Sequence, residues 1–457
     1  MDKRTFLKGM TLTSLGWPLA LKSLAAEPAA SAAASPNTGS TVEPVARPTI
    51  EPPVRPIAEH LAPYKNTPAD LLARDEEFWT GIRSGYKLKP DYINLENGYY
   101  NIQPEEILQA YMRHVKEINY EGSYYMRTVQ FERKKAIAAR LAQLAGCAPE
   151  ELVITRNTTE SLDMIIAGYP WKDGDEAIMA YQDYGAMLAM FKQVEKRHGV
   201  HCKIVEIPNH PQSDDDIVKV YEQAITPRTR LLMVCHMINI TGQILPVRKI
   251  CDMAHAHGVE VMVDGAHAYA HFRYTIPELD CDYYGASLHK WLSAPLGAGL
   301  LYVKKRHTDK IWPLLTEPNE AAAGIDRLNH TGTLPVHTDL AIGDALDFYN
   351  SLGAERKETR LRYLQQYWTT KVRDIPNIVV NTPKDPARSC GIANVGIKRM
   401  KPADLATHLL DKYKIYTVAI DSPQANVQGC RITPNVYTLS TELDTLVAAL
   451  KELATQA

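Results

Sequence analysis

The sequence predicts an α/β fold in which a large, mostly parallel sheet is covered by helices and a smaller α+β unit stands beside it. Three observations carry this. From about residue 150 onward, short apolar or β-branched runs alternate with amphipathic helical segments, the signature of strand–helix–strand units. The 457 residues, 45% hydrophobic and 23% charged, suffice for one large domain and a smaller one. Polar and charged residues collect where the strands should end, the edge at which such sheets bind ligands.

The chain opens differently from how it continues. Residues 1–32 have a basic start, a modestly apolar middle broken by Ser14, Gly16 and Pro18, and small residues suited to cleavage after Ala25 or near Ala32. That pattern reads as an export signal, with no stable membrane anchor expected after its removal. It resembles the twin-arginine motif, with Lys3 and Arg4 in the twin positions and Phe6, Leu7 and Lys8 following. Lys3 departs from the usual arginine, so the Sec route stands as the alternative, and either route leads to the periplasm. Residues 33–66, with Pro36, Pro44, Pro48, Pro52, Pro53, Pro56 and Pro63, read as a linker or arm. Residues 67–100 are expected to join the small domain, 101–338 to form the large one, and 339–457 the small C-terminal one.

Within the large domain, "ELVIT" precedes the helix-like "TESLDMIIAGY", and "EAIMA" precedes "GAMLAMFKQVEKRHG". "CKIVEI" and "TRLLMVC" follow as strands. "PVRKICDMAHAHG" has Pro246 at its start and Gly258 at its stop, after which "VEVMVD" begins. A net charge of -2 gives no basic field for nucleic acid and no polybasic run for anionic lipid. Seven widely spaced cysteines, at 147, 202, 235, 251, 281, 390 and 430, form neither a disulfide framework nor a CxxC pattern. His255 and His257 point to different sides of a helix, so no metal site is expected.

The predicted strand ends carry the chemistry. Thr158 and Thr159 follow Asn157 at a helix start, where hydroxyls and free N–H groups can hold an anion or simply cap the helix. Tyr184 can lay a ring over something flat, and Asn239 can address a ring hydroxyl or close a turn. "VEVMVD" runs apolar residues into Asp264, a carboxylate that needs a cation or several donors. In "SLHKW", Ser287, His289 and Lys290 follow the next strand. Singly, each has an ordinary structural explanation. Together, in this order, they supply what an aldehyde-bearing cofactor needs: an amine, a carboxylate for a pyridine nitrogen, a stacking ring and a phosphate cradle.

The pieces "INLENGYYNIQP", "ITRNTTESLD", "NITGQILPV", "VMVDGAHA", "SLHKWLSAPLGAGLLYV", "HTGTLP" and "CRITPNVY" resemble those of fold-type-I, class V pyridoxal-phosphate enzymes, most of all the isopenicillin N epimerase-like branch. The resemblance implies a seven-stranded-type sheet, pyridoxal 5′-phosphate as cofactor and a homodimer. It implies Lys290 as the Schiff-base lysine, Asp264 as partner of the pyridinium nitrogen, Tyr184 as the stacking ring, and His267 near the ring oxygen. Thr158, Thr159, Ser287 and His289 match phosphate ligands, and Thr333 matches a threonine reaching the phosphate of the neighbouring subunit. Arg431 matches the arginine that clamps a substrate carboxylate. Tyr99 and Tyr100, with Tyr124 and Tyr125, are candidates for substrate contact or a second proton donor.

Several reactions are compatible with these parts. The resemblance points to aminotransfer or epimerisation on an amino acid, peptide or secondary-metabolite substrate. A lyase or an oxidative decarboxylase that tailors a siderophore-like peptide is the alternative, and a non-catalytic binding relative belongs to another class. Two departures bear on the choice. Leu334 and Pro335 stand where the epimerase-like branch has Arg-Asp, and Cys430 is adjacent to Arg431 rather than in a preceding loop, unlike the desulfurases.

Overall fold

The computed structural model describes residues 56–315, 324–330 and 332–456. The export signal expected over 1–32 and most of the proline-rich segment lie outside them. The end of that segment departs from an extended arm, with Ile57–Leu61 helical and Ala62–Tyr64 a 3-10 turn. Ile57 and Leu61 are buried, and the rings of His60 and Tyr64 pack on Phe78 at centroid distances of 5.5 and 4.8 Å.

The main sheet has seven strands in the order Leu152–Thr155, Gly299–Val303, Tyr283–Ser287, Glu260–Asp264, Thr229–Cys235, Glu176–Ala180, His201–Val205. All share one direction except Gly299–Val303, which runs antiparallel to both its neighbours. Strands buried on both faces read as continuous apolar runs, and their alternate residues feed two cores. Ile178, Leu232, Val234, Val261 and Val263 enter one cluster, while Ala177, Met179, Leu231, Met233 and Met262 enter the other.

The crossover helices Thr158–Gly168, Gly185–His198, Asp214–Ala224 and Val247–Ala256 cover the faces. Their ends follow local chemistry. The Asn157 side chain accepts the Glu160 N–H at 2.9 Å, and Ser213 accepts that of Asp216 at 3.3 Å, each satisfying an orphan donor of a first turn. Gly199 closes its helix at φ 68°, where a Cβ would lie 1.9 Å from the Asp173 carboxylate.

The C-terminal portion builds a four-stranded antiparallel sheet, ordered Val418–Ser422, Val427–Ile432, Ala393–Ile397, Ile378–Val380. Helices Ala354–Val372, Pro402–Tyr413 and Ser440–Thr455 flank it, and Trp368, Leu409, Ile432 and Leu450 share its core with Leu95. The N-terminal segment serves both units. Phe78 and Trp79 belong to the large core, whereas Ile93–Asn94 pairs in parallel with Ile415–Tyr416 and Glu96 bridges to Thr433. Among the described residues no helix is long and apolar enough to cross a membrane.

The antiparallel strand has a local effect that positions the site. Tyr283–Ser287 and Gly299–Val303 are register partners from Tyr283 opposite Val303 to Ser287 opposite Gly299, so residues 288–298 form a loop whose stems are hydrogen-bonded neighbours. Leu288 N–H donates to Ala298 O at 2.9 Å and Ala294 N–H to Leu288 O at 3.0 Å. Lys290 sits in that loop.

Candidate active site

A cavity of about 310 Å³ opens at the C-terminal ends of the parallel strands. Asp264 and Cys235 end two of them, Ser287 ends a third, and His289 and Lys290 follow it into the cavity wall. Thr158, Thr159, Tyr184, Asn239, His267, Tyr99 and Arg431 complete the set of expected residues that line it. Tyr100 does not line it. Its phenol is raised by burial, and by Tyr111 beside it. Thr333 is exposed and also outside the lining, as are Tyr124, exposed, and Tyr125, which is buried against Val336 and Leu340.

The lysine is held from several sides. Asn101 donates its side-chain N–H to the Lys290 carbonyl and its backbone N–H to His289 O at 3.3 Å. Gln103 donates to Ser293 O at 3.1 Å, and the buried Lys357 amine reaches Trp291 O. The Lys290 amine itself meets His267 Nε2 at 3.0 Å. His267 Nδ1 faces the Trp291 indole N–H at 3.5 Å, and the Trp291 ring stacks on His271 with centroids 3.6 Å apart. His271 accepts the Gly391 N–H at Nε2, so its Nδ1 carries the proton given to His267 O.

This chain of contacts has an electrostatic consequence. Burial holds His267 neutral, well below its ordinary value, with Lys290 and Arg431 adding to the effect. If Nδ1 accepts from Trp291, the His267 proton is on Nε2, and Lys290 best meets it as a free amine. In the same direction, burial brings Lys290 down to about 8, Asp264 opposing and Arg431 assisting. Asp264 is raised by burial, against a 2.9 Å bond from Ala266 N–H and the nearby Lys290 charge. Among the described residues no cation lies within ion-pair distance of it, so the carboxylate is set to receive one.

The anion cradle is equally specific. Thr158 donates its N–H to Ser287 Oγ at 3.0 Å, and the two hydroxyls are 2.7 Å apart. The cradle sits at the N-terminus of helix Thr158–Gly168, where the dipole favours negative charge. The buried His289 Nδ1 has no hydrogen-bond partner, and burial lowers its ring to about 4. An orphaned ring nitrogen, two hydroxyls and a helix N-terminus at one end, an uncompensated carboxylate in the middle, and a deprotonatable lysine beside them fit pyridoxal 5′-phosphate.

Sequence reasoning passed over Glu96, Gly98 and Asn101, although all lie in a quoted stretch. Arg431 Nη2 donates to Glu96 Oε1 at 2.6 Å and Nε to Oε2 at 3.3 Å, while Nη1 reaches Asn239 O at 3.3 Å. The only signal was a carboxylate ending the apolar "YINLE". Its partner is far along the chain.

The fold and site define a pyridoxal-phosphate-dependent enzyme of fold type I. Residues 102–422 match the family model described as Aminotransferase class-V, and the chain belongs to that family, with pyridoxal 5′-phosphate as its cofactor. It is similar to isopenicillin N epimerase of Streptomyces clavuligerus, 28% identical over 396 residues, which cover 82% of this chain and 98% of that protein. It is also similar to a cysteine desulfurase of Cronobacter sakazakii, 27% identical over 377 residues covering 76% and 90%. A solved C-DES mutant with glycine covalently linked to its PLP cofactor shares the fold at a TM-score of 0.74 and 20% identity, over 81% of this chain and 99% of that one.

Proposed function

We propose that the enzyme acts at the Cα or amino group of a substrate bearing an α-amino group and a carboxylate, as an epimerase- or aminotransferase-type catalyst. Amino acids, peptides and secondary metabolites are the substrate classes. The observation that carries this reading is the convergence of Lys290, Asp264 and Arg431 on one cavity, with the lysine held near 8. Bound pyridoxal phosphate supplies an electron sink for the charge left when a bond to Cα breaks. Thr158, Ser287, His289 and the helix N-terminus would hold its phosphate, Asp264 would keep a proton on its ring nitrogen, and Tyr184 would supply a ring to lie against it. Lys290, oriented by His267, takes and returns the proton at Cα, and Arg431 binds the carboxylate.

The test is incubation of the holoprotein with amino acids and candidate peptides in deuterated water. Deuterium at Cα together with the opposite epimer identifies an epimerase, a keto acid an aminotransferase, and carbon dioxide a decarboxylase. Failure of every α-amino substrate to exchange its Cα proton overturns the reading. The desulfurase relatives favour a lyase as the second reading, scored by sulfide or pyruvate from cysteine. Against persulfide-forming desulfuration in particular, the Cys430 thiol is buried, its Sγ 3.6 Å from Pro402 O, and burial raises it to about 12.

The N-terminal pattern supports action in the periplasm after export, which fractionation of the full chain with and without Lys3→Gln and Arg4→Gln would test. The resemblance around Thr333, together with the exposed Tyr99, Tyr120, Tyr124 and Phe131, supports a homodimer whose sites share residues. A fully active monomer in light scattering would refute it.

A further inference from the structure

The Glu96–Arg431 pair lies at the seam of the N-terminal segment and the small-domain sheet. Both side chains are buried, at 6% and 8% exposure, so neither charge is screened by water and each needs the other. The contact is side-on. Glu96 takes the Nε and Nη2 edge of the guanidinium, and the Asn239 carbonyl takes a hydrogen from Nη1. Arg431 lines the cavity and Glu96 does not, so the carboxylate stands behind the guanidinium and not between it and a ligand.

The surroundings fix both partners. Glu96 Oε1 also accepts the Tyr99 N–H at 2.9 Å, and Glu96 N–H donates to Asn94 Oδ1 at 3.1 Å. Asn97 N–H donates to Thr433 Oγ1 at 2.7 Å, two residues from Arg431. At Gly98 a Cβ would lie 2.7 Å from Arg431 Cζ, so the guanidinium packs closely against main chain at a position where a side chain would displace it.

We infer that Glu96 is a positioning residue: it holds Arg431 by one edge so that the remaining Nη1 and Nη2 hydrogens face the cavity and receive the substrate carboxylate. This rests on the proposed carboxylate-binding role of Arg431. Glu96 touches neither substrate nor cofactor. It fixes the orientation of the group that does, and through Tyr99 N–H it ties one cavity wall to that group.

The experiment measures propionate binding to the holoprotein by calorimetry, a carboxylate without an amine, for wild type, Glu96→Ala, Glu96→Asp, Arg431→Ala and the double variant Glu96→Ala/Arg431→Ala. Glu96→Ala should weaken propionate about tenfold or more, because the guanidinium loses the two-point contact that holds it in the receiving orientation. Glu96→Asp should recover part of that, and the double variant should bind no worse than Arg431→Ala alone. If Glu96→Ala fails to fold, Glu96→Gln, which keeps the volume and one acceptor, reads the same affinity. Should Arg431→Ala leave propionate binding unchanged, the carboxylate clamp fails and this inference falls with it. Should Arg431→Ala weaken binding while Glu96→Ala leaves it equal or tighter, the clamp stands and Glu96 is a competitor. Additive losses in the double variant also overturn the assignment.

Discussion

The two edges of the main sheet treat buried charge in opposite ways. At the edge where the parallel strands begin, carboxylates are saturated. Glu176 is bound by Lys203 at 2.7 Å, Arg228 at 2.9 Å and two threonine hydroxyls. Burial alone would raise it, yet those partners hold it at about 2. Asp282, fully buried, accepts from His255, His307, Arg306 and Val261 N–H at 2.8 to 2.9 Å, and burial is again outweighed. At the edge where the strands end, Asp264 is raised, Lys290 is lowered, and His289 has an unpartnered nitrogen, while Asp183, also raised, lies outside the cavity lining. The difference separates groups spent on stability from groups kept available for a ligand.

That contrast can be broken or sharpened by experiment. The largest effect is expected from Lys290→Ala, which should remove the cofactor's visible band and lower turnover by about 10²–10⁴-fold with little change in unfolding midpoint. In the wild-type apoprotein, cofactor reconstitution should accelerate as pH rises through about 8, where the lowered lysine becomes a free amine, and not near its ordinary value. Asp282→Ala should do the reverse. Removing the carboxylate leaves His255, His307 and Arg306 facing one another, at a cost of about 3–5 kcal/mol in denaturant unfolding, while the folded fraction binds cofactor normally.

The smallest effect, read over a single pH unit, is expected at Asp183. Burial raises it to about 8, the Ala180 N–H opposing and Asp264 assisting, so the folded chain keeps a proton that the unfolded chain loses above 3.8. Stability should therefore fall as pH climbs from about 4 to about 8. Asp183→Asn should remove that slope, on the order of 1 kcal/mol gained between about pH 6 and pH 7, read from chemical unfolding at the two values.

What was legible in the sequence follows from how the site is built. Asp264, Ser287, His289 and Lys290 come from consecutive strand ends, and a carboxylate or lysine after an apolar run is visible without a structure. Thr158 was legible through the helix start beside it. Glu96 and Asn101 were not singled out, because their roles depend on Arg431 and on the lysine loop, which only tertiary pairing brings near. Tyr100 shares its motif with Tyr99, but adjacent residues point apart, and only Tyr99 reaches the cavity. The proline content of residues 33–66 hid the helix at Ile57–Leu61, where two apolar side chains found a core.

The reversed strand Gly299–Val303 has a mechanical consequence. Because both stems of the lysine loop belong to one hydrogen-bonded ladder, any shift of the sheet carries the two stems together. The lysine loop is thus part of the large unit's ladder, while Arg431 stands on the small sheet and reaches the large unit through Asn239 O. A hinge between those units that opened this contact would change the separation of amine and guanidinium, so the length of substrate that spans them would be read as an angle.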